Sequence, residues 1–283
     1  MGRTFDAVAE LPHILNEIKR YFVNNGNKNT KAVIGISGGK DSTIAAALLV
    51  RALGKDRVVG VMMPEGTQKD IHDSQEVCNI LGIEAYTINI GDTVQALYSG
   101  LIPVRAQSEI DGPLPAIVTT NTPARIRMAT LYAVAGIVGG RVIHTGNASE
   151  MYVGYTTKYG DMAGDFSIFK DYYVREILAL GNILEELPPH LVHKAPGDGM
   201  TGKTDEDNFG FTYEVLDAYL LDNETPSYEV LRLIEERHER NLHKMHMLNI
   251  PYIRARTRKW ENNTNRHGGC FEALHEDAPF LDF

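Results

Sequence analysis

The segment Gly35-Ile36-Ser37-Gly38-Gly39-Lys40-Asp41-Ser42 follows a short apolar, β-branched run and precedes one rich in alanine and leucine. Glycines at 38 and 39 let a backbone come close to an anion. The free N–H groups of a helix start, with the hydroxyls of Ser37 and Ser42, are donors aimed at phosphate. Residues 35–42 are therefore expected to cradle a phosphate chain. The segment is not a Walker A loop, because Asp41 stands where Ser or Thr is required and no glycine precedes Gly39 by five residues. An aspartate beside a phosphate chain repels it unless a cation intervenes, so Asp41 points to magnesium. The plainer alternative is a glycine turn into a helix, with Asp41 favouring the positive end of the helix dipole.

Glu150 is the second carboxylate of interest. Asn147 followed three residues later by Glu150 fits a capping box, a local role that stands beside any chemical one. Thr145 lies at the end of a predicted strand, where an open α/β sheet places its ligands. Arg125 and Arg127 are two apart on a predicted helix and cannot share a face, so one of them is expected to reach a ligand. Lys158, Asp161 and Asp165 fall in a polar, glycine-punctuated stretch, and loops on rigid sheets commonly supply substrate contacts. By residue type alone, His243 and Lys244 read as the basic end of a helix. The run R-A-R-T-R-K at 254–259 reads as a solvated segment.

The elements that position these residues alternate between helical and extended patterns, the sign of a parallel sheet covered by helices. Leu11, Leu15, Ile18 and Phe22 recur at helical spacing over 8–22. Strands are expected at 32–36, 57–63, 84–90 and 141–145. Helices are expected at 41–53, ending at Gly54, and at about 70–81. Residues 102–120, with three prolines and a glycine, are expected to form a connection or lid. Thr122 is expected to cap a helix that has Pro123 at its first position and runs to about 138. Loops are expected at 156–165 and after Lys194, and Thr225-Pro226 should open a last long helix with Val230, Leu233, Ile234, Leu242 and Met245 on its apolar side. The fold class is thus α/β, an open and mostly parallel sheet flanked by helices in a single domain over residues 1–283, with a C-terminal extension from about 251.

Composition narrows the partners. With 43% hydrophobic and 23% charged residues in 283, the chain is expected to be a globule with ample core. A net charge of −9 argues against a broad nucleic-acid footprint. No apolar run approaches the roughly 20 residues needed to span a bilayer, and the N-terminus lacks a basic region followed by an apolar stretch, so a cytoplasmic location and no membrane partner are expected. The two cysteines, Cys78 and Cys270, are far apart and form no CxxC, so buried free thiols are expected.

S-G-G-K-D-S at 37–42 resembles the S-G-G-x-D-S loop of the N-type ATP pyrophosphatases, which cleave ATP between its α- and β-phosphates. P-E-G-T-Q at 64–68, N-T-P-A-R-I-R-M at 121–128, T-G-N-A-S-E at 145–150 and T-K-Y-G-D at 157–161 fall in the order and spacing of one branch, the ammonia-dependent NAD synthetases, over roughly residues 10–250. The resemblance implies that residues 35–42 and Thr145 contact ATP, and that Asp41 and Glu150 ligate magnesium. It implies further that Arg125, Lys158, Asp165 and the pair His243-Lys244 bind deamido-NAD. Asp161 would accept a proton from ammonium. A homodimer is implied as well, its dinucleotide site drawing on both subunits.

The reaction so implied has the nicotinate carboxylate of deamido-NAD attack the α-phosphate of ATP. Ammonia then displaces AMP from the acyl-adenylate, giving NAD, AMP and pyrophosphate. A glutamine-dependent variant would need an amidase domain, for which the chain ahead of Gly35 has neither room nor a suitable cysteine. Two positions depart from the family pattern. Val174, with Arg175 beside it, stands where a lysine usually meets ATP, and Gly197 replaces a hydroxyl residue. The rival readings are a tRNA thiolase or purine amidotransferase subunit of the same superfamily, and a regulator that binds nucleotide without turnover. Unpaired cysteines and the acidic balance weigh against the thiolase.

Overall fold

A computed structural model describes residues 4–108, 112–194, 204–245 and 252–256. In chain order the elements are α1 (Ala7–Asn24), β1 (Lys31–Gly35), α2 (Lys40–Leu53), β2 (Val58–Met62), α3 (Ile71–Leu81), β3 (Glu84–Thr87), α4 (Gly91–Gly100), α5 (Ile102–Gln107), α6 (Ala116–Val138), β4 (Gly140–His144) and α7 (Ala148–Val153). They continue with β5 (Phe166–Ser167), α8 (Val174–Asn182), α9 (Pro189–Val192), α10 (Asp205–Phe209), α11 (Tyr213–Asp222) and α12 (Tyr228–Met245). The strands form one sheet in the order β3-β2-β1-β4-β5, every pairing parallel.

The chain leaves β1 toward β2 and leaves β4 toward β5, in opposite directions along the sheet. The carboxyl ends of β1 and β4 are neighbours, with Val33 opposite Val142. This is a topological switch point, where the two departing loops diverge and leave a crevice. It brings 36–39 and 145–147 face to face.

Both sheet faces are covered, as side-chain alternation in β1 requires. Ala32 and Ile34 pack with Ile18 and Phe22 of α1, Leu48 and Leu49 of α2, and Ile177 of α8. Val33 points the other way, with Val59, Val61, Val94, Val134 and Val142. A third cluster, Tyr152, Phe209, Phe211, Tyr213, Leu216 and Ile234, joins α7, α10, α11 and α12 beside the carboxyl edge.

The expected connection over 102–120 is largely helical: α5 lies within it, and α6 starts at Ala116 rather than at Pro123. Pro115 precedes the true start, and Pro123 sits inside the helix. A proline there leaves the carbonyl four residues back without its N–H, and the Tyr98 hydroxyl donates to that oxygen, Thr119 O, at 3.4 Å. Residues 91–100, bounded by glycines at both ends, also form a helix that the sequence pattern had not disclosed. The loop expected after Lys194 lies mostly outside the described residues, as do Cys270 and nearly all of the C-terminal extension. Cys78 is a buried free thiol.

At the end of β4 the His144 ring is buried, its Nδ1 2.7 Å from Ser167 Oγ on β5. Burial, with the nearby Lys170 charge adding to it, pushes its pKa down to about 4. A depressed histidine supports the fold above its unfolded pKa of about 6.5 and loses that support as pH falls toward 4, on the order of 3 kcal/mol. Asp217, pushed up to about 6 chiefly by burial, has the opposite slope, losing stability as pH rises from its ordinary value. The His144→Gln variant keeps a hydrogen-bonding group and does not titrate, so urea melts between pH 7 and 4.5 should show a shallower acid loss than wild type. Identical profiles would refute the assignment.

Candidate functional site

A cleft of about 170 Å³ opens over the switch point, lined by Ser37, Gly39, Lys40, Asp41, Thr145, Glu150 and Asp161 among others. Gly38, between the lining residues Ser37 and Gly39, packs against the start of α3. Its φ is +77°, and a Cβ there would stand 3.0 Å from Asp73 Cβ and 3.1 Å from Ser74 Oγ at the start of α3, so both conformation and space require glycine. Gly39 is the N-cap of α2 and supplies no side-chain cap, which leaves the first turn's N–H groups open to an anion. The two serine hydroxyls are turned inward: Ser37 Oγ and Ser42 Oγ are 3.0 Å apart, and Ser42 Oγ donates to Gly39 O at 3.1 Å. They brace the loop while still lining the cleft.

Asp41 occupies the first turn of α2. Its Oδ2 accepts from Lys40 Nζ at 2.9 Å, while its Oδ1 is buried without a hydrogen-bond partner. Glu150 reaches the cleft from α7, and its capping box is fully formed: Oε2 accepts from Asn147 N at 2.9 Å and Glu150 N donates to Asn147 Oδ1 at 2.9 Å. The local and chemical roles are compatible, because the second carboxylate oxygen is not used by the cap. Burial foremost, and then the Asp41 charge, push the Glu150 pKa up to about 8, against the opposing pull of Lys40. Burial works against the Lys40 ammonium, yet Asp41, Glu150 and Asp205 together hold its pKa above the ordinary lysine value.

Asp205 is the charged cleft residue that sequence reasoning missed, along with Gly146, Met151, Tyr155 and Thr156. It opens α10, where Thr204 and Asp207 form a capping box, and it accepts from Tyr213 Oη at 3.3 Å. Burial raises its pKa. The signal for it is T-D-E-D at 204–207, which forms a capped helix start where a loop is expected after Lys194.

The loop 156–161 forms the opposite wall. Asp161 accepts from Thr157 N and from Thr156 Oγ1, and burial raises its pKa against those two bonds. Lys244 Nζ donates to Gly154 O at 2.7 Å and Thr156 O at 2.8 Å, so it holds the base of this loop. His243 is exposed on α12. Arg125 Nε donates to Lys158 O at 3.1 Å, and both side chains lie outside the cleft. Arg127, more deeply placed, donates to Met63 O at 3.0 Å, and its charge meets Glu65 and Asp161. Asp165 faces a different hollow with Tyr132, Gly139 and Arg141, and accepts from Val142 N at 2.7 Å. Arg175 does not line the cleft: its guanidinium is paired with both carboxylate oxygens of Asp222. Gly197 lies outside the described residues.

The arrangement can hold a phosphate chain on open N–H groups, a cation between Asp41 and Glu150, and a second reactant against the 156–161 wall. Comparison with known proteins fits that chemistry. The sequence model of NAD synthase matches residues 10–250. The NH(3)-dependent NAD(+) synthetase of Methanococcoides burtonii is 42% identical over 192 residues, 67% of this chain and 70% of that protein. Its counterpart in Thermoplasma acidophilum is 34% identical over 254 residues, 86% of this chain and 98% of that protein. Among solved structures, the NMN synthetase of Francisella tularensis superposes with a TM-score of 0.76 at 31% identity, covering 88% of this chain and 99% of its own. With its phosphate loop at the first strand end and its second carboxylate at the fourth, the chain belongs to the NAD synthase family.

Proposed function

We propose that this chain joins ammonia to the nicotinate carboxylate of deamido-NAD at the expense of ATP, giving NAD, AMP and pyrophosphate, the last step in making NAD. The observation that carries the reading is the buried, unpartnered Asp41 Oδ1 at the mouth of the phosphate loop, with Glu150 across the switch point. The fit to magnesium follows from the donors. Among the described residues no group of three or more His, Cys, Asp or Glu is placed to hold a metal. Magnesium needs no such cage, since it is commonly bound by one or two carboxylates and completed by phosphate oxygens and water. Asp41 and Glu150 would hold it, and when bound it would neutralise charge on the departing pyrophosphate.

The protein's own work is mainly placement. A carboxylate is a poor electrophile until it is activated, so the reacting oxygen must be brought to the α-phosphate with the mutual repulsion of two anions screened. The first-turn N–H groups of α2 supply part of that screening, and Lys40 supplies a full charge. Asp161 faces the cleft with its charge opposed by burial, a placement suited to taking a proton from ammonium. Arg125, Lys158, Asp165, His243 and Lys244 are proposed as contacts to the dinucleotide; none of their side chains lines the cleft itself, while Lys158 lies in its wall and Lys244 holds that wall's base. We further propose a homodimer. Large apolar residues are exposed on α5 (Ile102, Val104) and near each end of α6 (Ile117, Ile137), the kind of residue a second copy would cover. The matched region acts as one catalytic unit in this reading. The buried free thiol of Cys78 suits the reducing cytoplasm we propose for it.

A second reading rests on the likeness to an NMN synthetase: the same amidation carried out on nicotinate mononucleotide. Pyrophosphate release from ATP and ammonium, measured separately with deamido-NAD and with nicotinate mononucleotide, decides between them. Release that depends on deamido-NAD is the expected result. Release only with the mononucleotide transfers the reading to that substrate. Release only with tRNA or xanthosine monophosphate moves the chain to another activity, and ADP with orthophosphate as products would overturn the scheme.

A further inference from the structure

Lys40 opens α2, where the helix dipole is positive and repels a cation, and a lysine at such a position normally extends into water. Here the side chain is only 4% exposed. Its Nζ lies 2.9 Å from Asp41 Oδ2 and 5.3 Å from the centroid of the Tyr213 ring. It also interacts electrostatically with Glu150 and Asp205. An ammonium buried against a helix N-terminus is disfavoured by desolvation and by the dipole alike, so its neighbours must hold it there.

Asp41, Glu150 and Asp205 all line the cleft. One ammonium faces three carboxylates, so an entering cation, which favours their ionised forms, finds negative charge that the lysine does not neutralise. Asp41 Oδ1 has no partner, while Oδ2 is taken by lysine. A divalent cation on Asp41 Oδ1 would sit on the same carboxylate as the ammonium on Oδ2, and the repulsion between the two loosens the lysine's hold on Asp41.

We propose that Lys40 is a tethered counter-ion that keeps the cation's place. Its ammonium neutralises Asp41 while no divalent cation is bound, gives up Asp41 when one arrives, and stays in the cleft against Asp205 and the face of Tyr213. The proposal rests on the reading of Asp41 and Glu150 as cation ligands. Its consequence is ordered loading. A bare divalent cation binds weakly, because it must push away an ammonium, whereas a cation carried on ATP brings phosphate oxygens that receive both charges. Lys40 is thus a positioning residue that couples cation entry to nucleotide entry.

The test uses Mn²⁺ as the probe and the full chain without nucleotide, with binding followed by calorimetry or by the electron paramagnetic resonance of free Mn²⁺. The Lys40→Met variant should bind Mn²⁺ at least about tenfold more tightly than wild type, the order expected for removing a unit charge at close range. Lys40→Arg keeps the charge and should restore the wild-type affinity. With ATP present the advantage of Lys40→Met should shrink. Removing the ammonium also leaves buried carboxylates uncompensated, so the melting temperature of Lys40→Met should fall without Mn²⁺ and climb more steeply with it, a readout that survives marginal folding of the metal-free variant. Unchanged or weaker Mn²⁺ binding in Lys40→Met would overturn the proposal. Asp41→Asn separates that failure from failure of the cation reading: if it leaves Mn²⁺ binding intact, the ligand assignment falls and the counter-ion role with it.

Discussion

Replacing Asp41 with asparagine should lower pyrophosphate release by about 10²–10³-fold or more while leaving the fold in place, the scale seen when a single preorganised electrostatic group is removed from an active site. The substitution keeps size and shape and removes one negative charge. Its local cost has two parts: roughly 0.3–1 kcal/mol of helix-dipole interaction, and a weaker hold on the buried Lys40 ammonium, which keeps a hydrogen bond to the asparagine Oδ1 and the attraction of Glu150 and Asp205. Functionally the change is large, because the unpartnered Oδ1 of Asp41 would become a neutral oxygen or an amide facing a cation. Steady-state release with ATP, deamido-NAD and ammonium, alongside a thermal melt, checks both halves. Wild-type turnover in Asp41→Asn would remove Asp41 from cation binding. A variant that loses activity only by unfolding would make the residue structural.

The parts of the site that were legible in the sequence are those contained in one stretch of chain. The loop 35–42 carries its own logic, since glycines, hydroxyls and a helix start are adjacent, and the structure shows the first-turn N–H groups open as that logic requires. The Asn147–Glu150 cap was likewise readable from spacing alone. The hydrogen bond between Ser37 and Ser42 was not, because hydroxyls five residues apart meet only in the folded loop. Asp205 was invisible for a different reason: it joins Lys40 and Glu150 only through the packing of α10 and α11 beside the carboxyl edge, which no local pattern encodes. Of the two helix arginines, placement on different faces was inferable, but depth was not. Arg127 is fixed by Met63 O, just past the end of β2, a contact set by tertiary structure.

Fold legibility followed the same division. The four main strands and the helices α1, α2 and α3 announce themselves by apolar period and by closing glycines, within a residue or so of their observed ends in most cases. The start of α6 misled because Pro123 is a strong start signal, and its tolerance inside a helix depends on a distant tyrosine, Tyr98, that takes up the freed carbonyl. A two-residue strand such as β5 has no period at all. Its existence is decided by pairing with β4, and through that pairing it locates His144 and Ser167.

Gly154→Ala should be the most damaging single change outside the phosphate loop. Gly154 caps α7 with φ +64°, and an added Cβ would fall 2.1 Å from Asn241 Cβ and 2.3 Å from its Cγ. A collision with the root of a side chain cannot be relieved by a rotamer change, so α12 must move. The left-handed backbone costs roughly 1 kcal/mol for alanine and the overpacking typically 1–3 more, which predicts a loss of about 2–4 kcal/mol in urea unfolding. The displaced helix matters to the cleft. His238, Asn241 and Lys244, spaced three apart along one face of α12, reach Tyr152 O, Val153 O, and then Gly154 O with Thr156 O. Shifting that ladder releases the base of the wall that carries Asp161, so turnover should drop further than stability alone explains. Asn241→Ala retains the offending Cβ and should not help. Asn241→Gly removes it, and although glycine inside a helix costs about 1 kcal/mol, the double variant should regain both stability and turnover relative to Gly154→Ala. Additive losses in that double variant would show that α12 does not sit against α7 at Gly154, and the 156–161 wall would then need another support.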